Sequence, residues 1–271
     1  MIETSTLVLA FSLTLFAGLA TGIGSAIAFF AKRTNTKFLS VALGFSAGVM
    51  IYVSFVEIFA EARESLISAS GTVAGTWITV ASFFGGMLIV ALIDRLIPTF
   101  ENPHEIHMVE EMRSKPDRKC RRCLYRMGIL TALAIAVHNF PEGLATFASA
   151  INDIHLGVMI AFAIALHNIP EGIAVSVPLY YATGSRKKAF LYSFLSGLAE
   201  PIGALVGFTI LYSLFNGIVF GMLFAVAAGI MVFISLDQLL PAAHEYGEHH
   251  LSIYGLLAGM GTMALSLLLF L

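Results

Sequence analysis

The hexapeptide His138-Asn139-Phe140-Pro141-Glu142-Gly143 is followed 29 residues later by a near copy, His167-Asn168-Ile169-Pro170-Glu171-Gly172. Both copies lie within long apolar stretches of the chain. In a helix, the His and Glu of each copy are four residues apart, and the Asn and Glu are three apart, so these side chains share one face. Imidazole nitrogens, amide oxygens and carboxylate oxygens are ligands that divalent transition metals take. The repeat therefore predicts a compact metal site between two facing helices.

The composition is typical of an integral membrane protein. Of the 271 residues, 58% are hydrophobic and 12% are charged, whereas soluble domains carry about a quarter charged residues. The first apolar run is too long for the core of a cleaved signal peptide, so we interpret it as a membrane span. We predict an all-α membrane protein with one transmembrane domain over residues 1–271. Its eight predicted spans are Leu7–Ala31, Phe38–Ala60, Thr76–Ile97, Leu124–Ala150, Leu156–Ala182, Ala189–Leu214, Gly217–Leu240 and Ser252–Leu271.

The basic residues predict how the spans are oriented. All but one of the 15 Lys and Arg residues lie in or beside alternate loops, and the exception is Arg63. Because basic residues accumulate in cytoplasmic loops, we expect those loops to be cytoplasmic and both termini to be extracytoplasmic. The longest connection, residues 98–123, has mixed charge and few large apolar residues, which predicts a flexible cytoplasmic loop.

This long loop carries residue types that bind metals. They are His104, His107, Cys120 and Cys123, with the two cysteines in a C-x-x-C spacing. Two interpretations stay open: a solvated connection, or a loop that senses or collects metal ions. Two cysteines in one short segment imply no disulfide framework.

Carboxylates within the predicted spans provide a second indication of a metal site. An Asp at the centre of a membrane helix costs about 2.5–3.5 kcal/mol on insertion scales. Glu142, Glu171 and Glu200 lie in predicted spans, and no Lys or Arg lies deep in any span. Protons or a bound metal must therefore supply the positive charge. Glu57 and Asp237 are further candidates for the transport pathway, although interface charges are the alternative interpretation.

The prolines of the two motifs predict kinks in the fourth and fifth spans. A proline has no N–H, so Pro141 and Pro170 leave the carbonyls of Val137 and Leu166 without their helical donors. The short connection between these spans makes them antiparallel neighbours, so the two motifs should form an approximately two-fold symmetric cage. Interrupted helices at mid-membrane mark the binding sites of many transporters.

The paired motifs and Glu200-Pro201 resemble the ZIP family (Zrt-, Irt-like proteins) of divalent-metal transporters, and in particular its prokaryotic branch. The resemblance covers the whole chain. It implies a binuclear metal centre between the fourth and fifth spans, joined by the sixth, in a cell (inner) membrane protein that is usually a homodimer. It also implies import of Zn²⁺, with Fe²⁺, Mn²⁺ or Cd²⁺ as further substrates. The predicted ligands are His138, Asn139, Glu142, His167, Asn168, Glu171 and Glu200.

We therefore expect a secondary transporter, of the symport type, that carries metal ions into the cytoplasm. Metal binding requires deprotonated ligands, so uptake should depend on pH. The sequence contains no P-loop or other nucleotide motif, and we expect no organic cofactor, nucleotide or nucleic-acid partner. One alternative is a membrane-embedded zinc hydrolase that uses a metal-activated water, although H-E-x-x-H is absent. The other is a metal sensor that acts through the cytoplasmic loop.

Overall fold

The computed structural model describes residues 3–30, 36–96, 118–211, 217–246 and 249–269, and within these ranges every regular element is a helix. Two of the helical stretches are short π-helices, π1 (Ser54–Ile58) and π2 (Ser235–Leu239). The α-helices are α1 (Thr4–Phe30), α2 (Thr36–Val53), α3 (Phe59–Ser70), α4 (Thr72–Leu96), α5 (Arg118–Asn152), α6 (Ile154–Thr183), α7 (Arg186–Gly197), α8 (Ala199–Leu211), α9 (Gly217–Ile234), α10 (Leu240–Tyr246) and α11 (His249–Leu269).

Seven helical stretches in the described residues are long and apolar enough to cross a membrane, which confirms the predicted class of helical membrane protein. They are Thr4–Ala26, Ser40–Ser70, Thr72–Leu92, Ile154–Val177, Arg186–Thr209, Gly217–His244 and His250–Leu269. The remaining predicted span lies in α5, which has 35 residues and a length of about 50 Å. Basic residues at its start and the polar motif in its middle make α5 less apolar than the other spans.

The connection between α5 and α6 is one residue long, and it makes these two helices antiparallel neighbours. Asp153 has an extended backbone and caps α6, because its carboxylate accepts hydrogen bonds from the backbone N–H groups of His155 and Leu156. At the other end of α6, Gly184 has a φ of 65°, a left-handed conformation that glycine adopts without strain. The two motif-bearing helices pack along each other, as the sequence predicts.

The helices pack in two groups. The first helix group comprises α1, α5, α6, α7 and α8, and the second comprises α2, α3, α4, α9, α10 and α11. Side-chain hydroxyls join elements within the second group: Ser40 donates to the carbonyl of Ala243 at 2.6 Å and Ser65 donates to that of Gly217 at 2.9 Å. One apolar core continues across both groups and includes residues of α1, α2, α5, α6 and α9.

Helix interruptions occur at positions that the sequence analysis did not predict. The second predicted span contains π1, the seventh contains π2, and the sixth divides into α7 and α8 at Leu198, two residues before Glu200. By contrast, α5 runs through Pro141 and α6 runs through Pro170 without a break in the helix. The kinks expected at these prolines stay a prediction.

The predicted extent of the long cytoplasmic loop needs correction. Residues 118–123, which we expected to be flexible, form the first turns of α5. Lys, Arg and Leu are favourable helix residues, so this basic segment extends the apolar span that follows it. Cys120 and Cys123 therefore lie on a helical backbone, whereas residues 97–117, with His104 and His107, lie outside the described residues.

Candidate metal site

The two motifs lie near the middle of α5 and α6, where they are enclosed by neighbouring helices of the first group. Asn139, Glu142, His167, Asn168 and Glu171 are buried. Glu200, at the start of α8, is also buried. Burial of so many polar side chains in a membrane bundle requires hydrogen-bond partners or ligands.

A direct contact joins the two motifs. His167 Nε2 of α6 lies 3.2 Å from Glu142 Oε2 of α5, and both side chains are completely buried. The contact brings together residues that are 25 positions apart in the chain. The polar faces of the two motifs are therefore turned toward each other, as a shared site requires.

Asn168 connects the α6 motif to two further helices. Its amide Nδ2 donates to Glu200 Oε1 of α8 in a short hydrogen bond. The same nitrogen donates to the backbone carbonyl of Ala17 in α1, at 2.9 Å. The predicted ligand Glu200 is thus placed beside the motifs, and α1 becomes part of the wall of the site.

Asn139 has the equivalent position in the α5 motif, and its amide also reaches a backbone carbonyl. Asn139 Nδ2 donates to the carbonyl oxygen of Ser196 in α7, at 3.4 Å. Each motif therefore anchors its asparagine to a helix other than its own.

Several oxygen atoms of this cluster remain available to a ligand. Among the described residues, the side-chain oxygens of the predicted ligands that are buried without a hydrogen-bond partner include Asn139 Oδ1, Glu142 Oε1, Asn168 Oδ1 and Glu200 Oε2. Leaving buried oxygens unpaired is costly. A divalent cation binds such carboxylate and amide oxygens readily.

The protein supplies little positive charge to these carboxylates. The sequence has no Lys or Arg between Arg126 and Arg186, and none after Lys188. Among the described residues, three glutamates are therefore buried in this region, and an imidazole is the basic group near them. A cation from outside the protein would balance their charge.

The described side chains do not by themselves form a complete metal cage. Within them, no three His, Cys, Asp or Glu side chains are grouped closely enough to hold a metal ion. Asparagine oxygens are not among those groups, and the side chain of His138 is not described although its helix is. The metal role of all seven predicted ligands stays a prediction.

The other predicted pathway residues lie in the second helix group. Glu57 is half-buried in π1, and Asp237 is exposed in π2. Single-turn π-helices are rare and occur frequently at functional sites. The charge of both residues makes them candidates in the sequence, whereas the π-helices that carry them were not predicted.

The contribution of α1 to the site was not predicted from the sequence. Ala17 provides a backbone carbonyl to Asn168, and Ser25 donates to the carbonyl of Gly172 at 3.3 Å. Any residue type has a carbonyl group, so the first contact has no sequence signature. The spacing of Ala17, Thr21 and Ser25 at four-residue intervals does place small and hydroxyl side chains on one face of α1, and that pattern was available in the sequence.

This geometry defines the class of the protein. It is a helical membrane protein whose buried centre carries groups that can bind a metal ion. The profile of a family described as "ZIP Zinc transporter" matches residues 100–267. Relatives called "Zinc transporter ZupT" match nearly the whole chain. The one from Nitratidesulfovibrio vulgaris is 65% identical over 100% of both chains, and the one from Clostridium perfringens is 63% identical over 97% of this chain and 96% of its own. The chain belongs to the ZIP family of metal transporters, and it is a transporter rather than an enzyme.

Proposed function

We propose that the chain imports Zn²⁺ into the cytoplasm through a binuclear centre between α5 and α6. The observation that carries this proposal is the buried contact between His167 and Glu142, which joins the two copies of the motif. The names of the relatives, which are zinc transporters, support zinc as the substrate. The hydrolase and sensor alternatives have no comparable support.

The proposed ligands differ in chemistry and suit two neighbouring ions. Imidazole nitrogens from His138 and His167 favour zinc, whereas the amide and carboxylate oxygens also accept Fe²⁺, Mn²⁺ or Cd²⁺. Glu142 and Glu171 would bridge the two ions, and Glu200 would complete the oxygen-rich side. In this proposal, the ion separates His167 from Glu142 and replaces their direct contact.

An acidic cleft is the proposed entrance from outside. The cleft has a volume of about 570 Å³, and Glu61, Glu64 and Asn152 are among the residues that line it. A smaller apolar cavity of about 140 Å³ shares Ala148 and Phe220 with the cleft and extends to Pro141, next to Glu142. Acidic side chains at the mouth would attract hydrated cations and raise their local concentration.

Transport would follow from movement of the first helix group against the second, which exposes the centre to each side of the membrane in turn. The positive-inside distribution supports an orientation with both termini outside, and a homodimer is the proposed assembly. The long cytoplasmic connection with His104 and His107, together with Cys120 and Cys123 at the start of α5, is a candidate for receiving the released ion.

The test is zinc flux into sealed proteoliposomes that contain purified protein. Glu142→Gln keeps the shape of the side chain but removes its charge, and we expect uptake to fall at least about tenfold. The matched control is Glu3→Gln, an exposed glutamate outside the centre, which should transport as the unchanged protein does. Undiminished uptake by the Glu142→Gln variant would contradict the proposed site.

A further inference from the structure

We propose that Thr21 of α1 contacts the transported ion through its hydroxyl oxygen, from the position that mirrors Glu200 across the centre. The proposal rests on the transport function proposed above and adds a residue to its site. Neither motif contains Thr21. The proposal follows from a correspondence between two sets of helix contacts. Helix α5 contacts α7 and α8 in the same way as α6 contacts α1.

The anchoring asparagines give the first part of this correspondence. Asn139 of α5 donates to the carbonyl of Ser196, and Asn168 of α6 donates to the carbonyl of Ala17. Ser196 precedes Glu200 by four residues, and Ala17 precedes Thr21 by four residues. One helical turn beyond each accepting carbonyl, the equivalent residues are therefore Glu200 and Thr21.

The glycines that end the two motifs give the second part. A Cβ atom placed on Gly143 would collide with the backbone carbonyl of Glu200. A Cβ atom placed on Gly172 would collide with the backbone carbonyl of Thr21. Each motif glycine thus allows close approach of one residue from the partner helix, and those residues are again Glu200 and Thr21.

A reciprocal pair of glycines on the partner helices completes the correspondence. Gly203 lies three residues after Glu200 and packs against the carbonyl of Phe140, the third residue of the first motif. Gly24 lies three residues after Thr21 and packs against the carbonyl of Ile169, the third residue of the second motif. Three pairs of equivalent contacts therefore relate one helix pair to the other in the same register.

The hydroxyl of Thr21 is buried without a hydrogen-bond partner in the described part of the chain, which a contact with the ion would explain. The side chain is completely buried, and its Oγ1 has no hydrogen-bond partner among the described residues. Threonines in helices usually donate to the carbonyl four residues earlier, as Thr14 does to Ala10 in the same helix, at 3.0 Å. For Thr21 that carbonyl belongs to Ala17, which already accepts the amide of Asn168.

Hydroxyl oxygen is a neutral, hard ligand that suits the oxygen-rich side of the centre. Thr21 Oγ1 lies close to α7, 2.8 Å from the place that a Cβ on Gly197 would occupy. Gly197 adjoins Ser196, the residue that anchors Asn139. The hydroxyl therefore lies beside the segment of α7 that anchors Asn139, one helical turn after the Ala17 carbonyl that anchors Asn168.

The experiment compares zinc uptake by three variants in proteoliposomes. Thr21→Val removes the hydroxyl but keeps the shape, and we expect the KM for zinc to rise about two- to tenfold. Thr21→Ser keeps the hydroxyl and should restore the original KM. Thr14→Val removes a buried hydroxyl from the same helix and is the matched control, with unchanged KM expected. An unchanged KM in Thr21→Val, or an equal rise in Thr21→Ser or Thr14→Val, overturns the proposal.

A change of metal preference separates ion contact from a purely structural role. Thr21→Cys replaces a hard oxygen by a soft sulfur, so Cd²⁺ should compete better against Zn²⁺ than it does with the unchanged protein. An unchanged competition ratio contradicts direct contact.

If Thr21→Val does not assemble, Thr21→Ala carries the KM test. If the unchanged protein does not transport zinc, the proposed function fails; if it does and the Thr21 variants match it, this inference alone fails.

Discussion

At the residue scale, the asparagines of the motifs combine two tasks. Asn168 uses its amide nitrogen to hold Glu200 and the carbonyl of Ala17, while its amide oxygen is left without a hydrogen-bond partner among the described residues. A leucine of similar size would fill the space but would hold neither helix. The amide therefore positions the carboxylate of Glu200 and adds an oxygen to the site.

Replacing Asn168 tests this positioning role. Asn168→Ala leaves Glu200 Oε1 buried without its donor, so we expect a loss of about 1–3 kcal/mol in the free energy of unfolding. Thermal unfolding of the purified protein in detergent measures the loss as a lower Tm. Asn152→Ala is the control, because Asn152 is exposed and bonds Glu61 at the surface. Equal Tm values for the two variants would rule out a structural role for the buried amide.

At the scale of the helices, the glycines of the motifs determine how closely neighbouring elements approach. Gly143 admits the backbone of α8, and Gly172 admits the backbone of α1. Both helices carry a residue of the proposed centre, so the distance between backbones fixes the size of that centre. Larger side chains would push the walls apart.

Adding a methyl group to the motif glycine of α5 tests this packing. Gly143→Ala places a Cβ against the carbonyl of Glu200, and overpacking of this kind costs about 1–3 kcal/mol. Zinc uptake and Tm should both fall. Gly85→Ala and Gly261→Ala are the matched controls, because a Cβ at either position would meet no atom within 4 Å. A Gly143→Ala variant that behaves like these controls would contradict the close approach.

The sequence predicted most helices because membrane spans have a simple requirement, a long apolar run, and the charged loops separate those runs. It predicted the facing motifs because polar clusters are costly in lipid, and two copies on adjacent spans can offset that cost by facing each other. It did not predict α1 as a wall of the site, since the contacts of α1 there are a backbone carbonyl, a close glycine approach and a hydroxyl. It also did not predict π1 and π2, because a one-residue change in hydrogen-bond register leaves no pattern in composition.

At the scale of the whole molecule, the distribution of basic residues predicts the orientation in the membrane. Cysteine labelling tests it, in a background where Cys120 and Cys123 are replaced by alanine. Ser5→Cys should react with a membrane-impermeant maleimide on intact cells, whereas Lys187→Cys should react only after lysis, because both positions are exposed and lie at opposite ends of the bundle in the predicted topology. The reverse labelling pattern would contradict the predicted orientation.

Acidification of the outside solution tests the role of titratable ligands. Protons compete with metal for imidazole and carboxylate groups, so lower pH weakens metal binding. We expect the apparent KM for zinc to rise as the outside pH falls from neutral to mildly acidic values, with the inside pH held constant. An apparent KM that falls on acidification would contradict these ligands.

The antiparallel arrangement of α5 and α6 has a consequence for energetics. Because one motif is traversed from inside to outside and the other from outside to inside, the pair looks similar from either face of the bilayer. Movement of one helix group against the other can expose such a centre to either compartment. The steady-state distribution of the cargo would then reflect its own gradient, that of a co-transported ion and the voltage across the bilayer, and a loaded vesicle should release its content when these gradients are reversed.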